Sequence, residues 1–576
     1  MTLEHTIENS KINLTAPTLA KSESKLNFWI FFVFIALGEF FCFRYAFIHT
    51  VQNTYPAAFD QTSYLSFFYV VYENVKQQGF ISGILNSPPL ATGIFFPIQA
   101  ILYFSVFGAS RFSAMLINFT YFMILQLCCI KLISTLSNKK YFAYLFLAIL
   151  FLMNVPSFRV GGILDMRMDF IAFCVYGIFL CSVIKSSYFL NRKWTFITVL
   201  AAGLLILLRT LTLVYVVGLS VSLFAYLLIK KWSLQRNKQS CQQINNRLVN
   251  LIIFCFFIGL ITLPFIWLNR VTLYNYYVIG HILGSEKYIR AAQEGITNML
   301  SACWFYPRML LFKQIGISVL SICLFFSVIY SYFYITTRKI NLSDSEDYAK
   351  WGIGFFYILF SILIPLAALT SDINKSPVVA SIMVIPFIWL VFWYWLYVDS
   401  KLQLSKQIIR ILNVSAIILL ALGIINQVNQ YHHGLSKNQK KDLAVISTMY
   451  LDIGNYVVSK QWENTPIAFD QIRDYLTSNG IVIIYYETNG KLLNINTEKL
   501  GGSIFAIDKQ GAINSLNNSK VLVVNLNGYP DKSFFPFDQS IESLRPTILQ
   551  YANQHFNKLG DYPFMDSVYR VYVKAN

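Results

Sequence analysis

LIIFCFFIGLITLPFIWL, residues Leu251–Leu268, runs for 18 residues without a charge and gives way to Asn269-Arg270. A helix of roughly 18 to 20 apolar residues covers the hydrocarbon core of a bilayer, so this stretch reads as a membrane span with its first cation at the lipid surface. Similar runs begin near Asn27, Phe112, Tyr141, Asp169, Trp194, Thr210, Ile315, Trp351, Val378 and Ile408, which makes about eleven spans. Composition agrees. Of 576 residues, 56% are hydrophobic, 17% aromatic and only 13% charged, and the mean hydropathy is +0.52, so lipid must solvate most of the chain.

The net charge of +18 comes from Lys and Arg scattered at span ends. A basic stripe with interleaved aromatics is missing, which argues against a nucleic-acid partner. The cations alternate between connections. Lys131, Lys139 and Lys140, then Lys185, Arg192 and Lys193, then the group from Lys230 to Arg247, then Arg338 and Lys339, then Lys401, Lys406 and Arg410 fall on one side. The positive-inside rule makes that side cytoplasmic. This predicts a cytoplasmic tail over 1–26, a membrane domain over 27–429 with outer loops at 49–111, 155–168, 269–314 and 371–377, and an extracytoplasmic domain over 430–576. The first span, Asn27 to Ile48, comes too late and runs too long for a signal peptide and reads as a retained anchor. Ile81 to Gly108 is apolar but broken by Pro88, Pro89, Gly93 and Pro97, which predicts helices lying in the outer interface.

The C-terminal stretch alternates helical pattern (Asp442 to Ser459, Ser540 to Asn557) with strand-like runs Gly480 to Tyr486, Ser503 to Asp508, Lys520 to Leu526 and Val568 to Val573. A small α/β domain follows from that alternation. It has no Gly-rich nucleotide fingerprint, none of the nine cysteines lies in it, and Asp470, Asp474 and Asp508 have no evident partner.

Charge beside a bilayer is costly unless it is used or wetted, so the outer loops hold the candidate chemistry. After the first span, Asp60 stands alone among aromatics in YPAAFDQTSY, Tyr55 to Tyr64. It reads as a general base or as the cap of the following helix. Arg159 and GGILDMRMD, Gly161 to Asp169, lead into the fourth span and place Asp165 and Asp169 on one helical face with Arg167 between them. A site and an interfacial ion pair with a cap fit that pattern equally. The loop after Leu268 carries Arg270, Tyr274, Tyr276, Tyr277 and His281, then Arg290, Tyr306 and Arg308, and Lys375 precedes Pro377 in a later short loop. Guanidinium groups clamp phosphate and rings pack on sugar faces, although an aromatic belt with snorkelling cations would look alike.

In order, these pieces resemble the GT-C superfamily of membrane glycosyltransferases, in the branch of the protein O-mannosyltransferases and lipid A aminoarabinose transferases. The resemblance covers about residues 27 to 400 and rests on Asp60-Gln61 with Tyr64, Pro88-Pro89-Leu90, Asp169, the run Tyr274 to His281 with Arg290, Phe305-Tyr306-Pro307, and Lys375. It departs from the family at Gln61, where a second acid is usual, and at Ser87, where a Lys is usual. What the resemblance implies is an inverting transfer of a sugar from a polyprenyl-phosphate donor to an envelope lipid, glycan or protein at the outer face of the cell membrane. Asp60 and Asp169 would be catalytic, and Arg270, Arg308 and Lys375 would bind the donor phosphate. Tyr64, Asp165, Arg167, Tyr277, His281 and Tyr306 would bind substrate or support those groups. The family pattern leaves a divalent metal, if one is used, to His281 with a carboxylate. Two rival expectations are a transporter or flippase of lipid-linked sugars and a surface-polysaccharide polymerase or ligase; paired inverted repeats, the mark of many transporters, are not visible in the hydropathy pattern.

Overall fold

The computed structural model describes residues 23–52, 59–88, 90–158, 161–237, 240–284, 286–337, 345–372, 375–402, 404–432, 437–462, 464–470, 476–500, 509–528, 536–564 and 567–575. Arg159, Asp474, Asp508 and the expected strand Ser503 to Asp508 lie outside them. The protein is a polytopic α-helical membrane protein with a small C-terminal α/β domain.

Helix α1 (Glu23–Ala46) is followed by α2 (Phe59–Gln78), α3 (Phe80–Leu85) and α4 (Ala100–Phe107). At a rise of about 1.5 Å per residue α3 and α4 are far too short to span, as the prolines and glycine between them require. Next come α5 (Arg111–Leu136), α6 (Tyr141–Leu152), α7 (Met168–Lys185), α8 (Arg192–Leu208), α9 (Thr212–Arg236) and α10 (Gln242–Leu268). The long connection holds α11 (Arg270–Leu273), α12 (Glu286–Gln293) and α13 (Met299–Arg308), with π-helical stretches over Tyr274–Leu283 and Met309–Ile315. Then α14 (Ile317–Thr337), α15 (Ser345–Ser371), α16 (Val384–Lys401) and α17 (Lys406–His432) complete the membrane region.

All eleven expected apolar runs are helical, but among the described residues nine helices are long and apolar enough to cross a membrane. The other two are α6, of 12 residues, and α8, of 17. Helix α6 still runs between the same two sets of connections. At one end Lys139 Nζ and the Tyr141 hydroxyl reach Asp399 Oδ1 at 2.6 and 2.9 Å, and Arg247 Nη1 donates to the Tyr188 carbonyl at 2.9 Å. At the other, Asn154 Nδ2 donates to the Lys313 carbonyl and Gln314 Nε2 to the Pro377 carbonyl, both at 2.9 Å. Helix α7 is buried over 89% of its apolar window and α16 over 72%, against 22% for α10 and 17% for α17, so α7 and α16 are the inner helices and the other two face lipid.

The C-terminal domain is a five-stranded sheet between two helical layers. Its helices are α18 (Lys437–Ser459), α19 (Ser478–Asn489), α20 (Lys509–Asn518) and α21 (Pro536–His555). Its strands are β1 (Thr465–Phe469), β2 (Ile495–Lys499), β3 (Val521–Asn525), β4 (Phe556–Phe564) and β5 (Ser567–Lys574), in the order β2-β1-β3-β5-β4. The first three are parallel, and β5 runs antiparallel to β3 and β4. Strand period decides the layers. Ile467, Phe469, Val521 and Val523 face α18 and α19, while Ala468, Leu522 and Val524 face α20 and α21.

One expected strand is a helix. Gly480 to Tyr486 lies in α19, whose Thr477 hydroxyl accepts from Gly480 N at 3.2 Å and whose end is closed by Gly490 in the left-handed region at φ 66°. Its residues Ile481 through Tyr486 are all buried. A short run that is apolar on every side cannot be told from a strand by periodicity, and this one is buried because the sheet lies on one side of it and α2 on the other.

Candidate functional site

Asp60 sits in the first turn of α2, at its second residue, rather than before it as a cap. It is half exposed, and Arg167 Nη2 lies 3.5 Å from its Oδ2. Arg167 is the residue before α7, so Asp165 is in the preceding loop and does not share a helical face with Asp169. That corrects the expected i, i+4 pair. The loop is shaped by Gly161, whose φ of +86° and whose close approach to Val378 leave no space for a side chain. Asp165 is fully buried: its Oδ2 accepts from Gly161 N, and its Oδ1 accepts from Arg167 N at 3.0 Å. Its Oδ2 is also 3.7 Å from Arg167 Nε. Asp165 thus orients the arginine that faces Asp60.

Burial pushes the Asp165 carboxyl up to about 7, against the pull of Arg167 and the two backbone N–H groups. A carboxyl whose folded pKa is raised stabilises the fold most below its unfolded value and loses that contribution as pH rises through the folded one. The thermal midpoint in detergent is therefore expected to fall between about pH 4 and 7, and Asp165→Asn is expected to flatten that slope. An unchanged slope in the variant would assign the dependence to other groups.

Asp169, in the first turn of the inner helix α7, pairs with Arg209 Nη2 at 3.1 Å. Arg209 was not singled out in the sequence. It follows the end of α8, where the Thr92 to Phe95 segment is fastened by Phe95 N to the Leu207 carbonyl at 2.9 Å and by Thr210 N to the Thr92 carbonyl at 3.0 Å. Gly93 is required there, since a Cβ would lie 2.1 Å from the Leu208 carbonyl oxygen. The signal was available: Arg209 is the only charge between Lys193 and Lys230. Tyr64, Tyr276 and Tyr277 lie within reach of the Arg209 charge, and burial raises all three hydroxyls, Tyr277 to about 12, so each is a neutral donor.

Tyr276 and His281 are five residues apart in the π-helical stretch and their rings meet with centroids 4.8 Å apart at an inclination of 48°, as an i to i+5 period brings about. His281 Nδ1 is 3.7 Å from Asp372 Oδ2. Among the described residues no group of three or more His, Cys, Asp or Glu side chains converges, so His281 and Asp372 offer two donors where a divalent ion ordinarily takes more.

Beside the carboxylates is a cavity of about 550 Å³ lined by Arg167, Arg290, Arg308, Lys313 and Lys375, with Glu294 as the one carboxylate among the described residues of its wall. Two expected phosphate ligands, Arg308 and Lys375, meet here. Lys375 is buried and already committed, because its Nζ donates to the Leu369, Thr370 and Asp372 carbonyls at the end of α15 and stands 5.2 Å from the Tyr306 ring. Three donors are all an ammonium has. The Tyr306 hydroxyl accepts from Ser376 N at 3.3 Å and holds the same turn. Arg270 is not brought into this group. It is exposed, donates to the Trp267 carbonyl at 2.9 Å and lies 4.6 Å over the Trp267 ring, which is snorkelling along the end of α10. Arg290, which belongs to the cationic loop expected from the sequence, and Lys313, which does not, also line the wall.

No family model matches this chain, and no curated protein is significantly similar to it in sequence. Among solved structures, the chain is similar to the crystal structure of ArnT from Cupriavidus metallidurans bound to undecaprenyl phosphate, with 12% identity, a TM-score of 0.47, and coverage of 95% of this chain and 98% of that one. The apo state of the same protein aligns over the same shares at 12% identity with a TM-score of 0.42.

Proposed function

We propose that this protein is an inverting glycosyltransferase that moves a sugar from a polyprenyl-phosphate donor to an envelope acceptor on the outer face of the cell membrane, with the N-terminus cytoplasmic and the C-terminal domain extracytoplasmic. One observation carries the reading: Arg167 belongs both to the wall of the cationic cavity and to the ion pair with Asp60. A site for an anionic group and a carboxylate open to solvent thus adjoin at one end of the membrane helices. Asp60 takes the proton of the acceptor hydroxyl as its oxygen forms the bond to the anomeric carbon. The bond from that carbon to the phosphate oxygen breaks, and its electron pair leaves on the carrier phosphate, whose charge Arg290, Arg308 and Lys313 balance. A phosphate leaves without a general acid.

The test is release of free carrier phosphate from a labelled polyprenyl-phosphate sugar by purified protein supplied with envelope extract. Sugar moved without bond cleavage would replace this reading with a transporter. Within the cavity, Arg308→Ala is expected to raise the donor KM roughly tenfold, the usual weight of one charge-assisted contact, while Arg270→Ala stays within about twofold because its present partner is the end of α10. Equal effects of the two would dissociate donor binding from the cavity.

A further inference from the structure

The C-terminal domain grips the helix that carries Asp60. On the turn following Asp60, Asn479 Nδ2 donates to Ser63 Oγ at 3.0 Å and Ser66 Oγ donates to Asn479 Oδ1 at 3.1 Å. Two turns on, the Tyr69 hydroxyl donates to Glu487 Oε1 at 2.8 Å, and Arg111 at the start of α5 closes on the same carboxylate through Nε at 2.9 and 3.0 Å and Nη2 at 2.8 Å. The Tyr486 hydroxyl donates to Glu73 Oε1 at 2.6 Å, and its ring lies 4.5 Å from that of Tyr69. Every one of these partners is on α19 or beside it, and Ser66, Tyr69 and Glu73 are buried under it.

Helix first turns lack backbone acceptors for their N–H groups and open most easily, and Asp60 is in such a turn. A base works only if it is held within about 0.5 Å of its productive position, at hydrogen-bond distance from the acceptor hydroxyl. Asn479 engages both the acceptor and the donor of its amide on the two serines nearest Asp60, which is more than docking by apolar contact would need.

We propose that the C-terminal domain is part of the transfer machinery: α19 clamps the first turns of α2, and Asn479 and Glu487 are positioning residues that hold Asp60 in register with the cationic cavity. This rests on the transferase reading above. It requires the domain to stay docked through turnover.

In the full-length protein, Asn479→Ala is expected to lower kcat roughly tenfold or more while the donor KM stays within about twofold, with Glu487→Gln acting in the same direction. A fall in thermal midpoint with kcat per folded molecule unchanged would make the contact merely structural and overturn the proposal. A second measurement needs no sugar transfer: a thiol reagent is applied to Asp60→Cys with and without Asn479→Ala, and labelling at that residue is read by peptide mapping. Several-fold faster labelling when Asn479 is replaced supports the clamp, and equal rates overturn it. A wild-type protein silent toward every donor would sink the transferase reading alone, with the labelling rates still deciding the clamp.

Discussion

Asp60→Asn is expected to lower kcat for sugar transfer by about 10² to 10⁴, the range that general-base catalysis ordinarily supplies, with donor KM nearly unchanged. The asparagine is isosteric, and the carboxylate it replaces is half exposed with one ion-pair partner at 3.5 Å. Loss of such a pair costs at most about 1 kcal/mol of stability, so the folded protein should survive and the deficit should appear in turnover. Initial rates with labelled donor, normalised to folded protein, decide it. A variant within threefold of wild type would transfer the role of base to another group, with Asp169, paired to Arg209, the next candidate.

Arg209→Met carries the largest expected effect on stability. Asp169 and Arg209 have side chains only 11% and 14% exposed, and Asp169 starts the innermost helix. Removing the cation strands a carboxylate where water reaches it poorly, a change that typically costs about 3 to 5 kcal/mol. Adding Asp169→Asn to Arg209→Met should recover much of that loss, since a neutral amide needs no counterion. Thermal midpoints in detergent for the two single variants and the double would show the non-additivity. If Arg209→Met alone left the midpoint unmoved, the pair would be wet and dispensable, and Arg209 would hold its place for the substrate only.

The site was partly legible. Asp60, Arg167, Arg308 and Lys375 could be found because isolated charge in apolar surroundings is visible residue by residue. Arg209 carries the same signal, masked by the two apolar runs on either side of it that read as a continuous pair of spans. The burial that turns Lys375 from a free cation into the cap of α15 could not be read at all, since it depends on carbonyls that a helix end presents only once the turn has closed. Arg270 and Arg308 are alike in sequence setting, and only their neighbours separate them.

In the C-terminal domain, β1 is not among the strand-like runs of the sequence; it carries Pro466, and the sheet accommodates it between β2 and β3. Helix α19 looks like a strand in the sequence because its run Ile481 to Tyr486 is apolar with no polar side.

By itself, the sequence determined that the chain lies in lipid and where its apolar helices fall, because the transfer of an apolar run into a bilayer is a sum over its own residues and owes little to its neighbours. The tertiary structure alone decided that Gly480 to Tyr486 is helical, that Arg209 belongs to Asp169, that Arg167 joins Asp60 to a cationic cavity, and that a domain some four hundred residues away in sequence holds the Asp60 helix. Each of these is a contact between distant segments, whose free energy exists only when both surfaces are assembled and desolvated together.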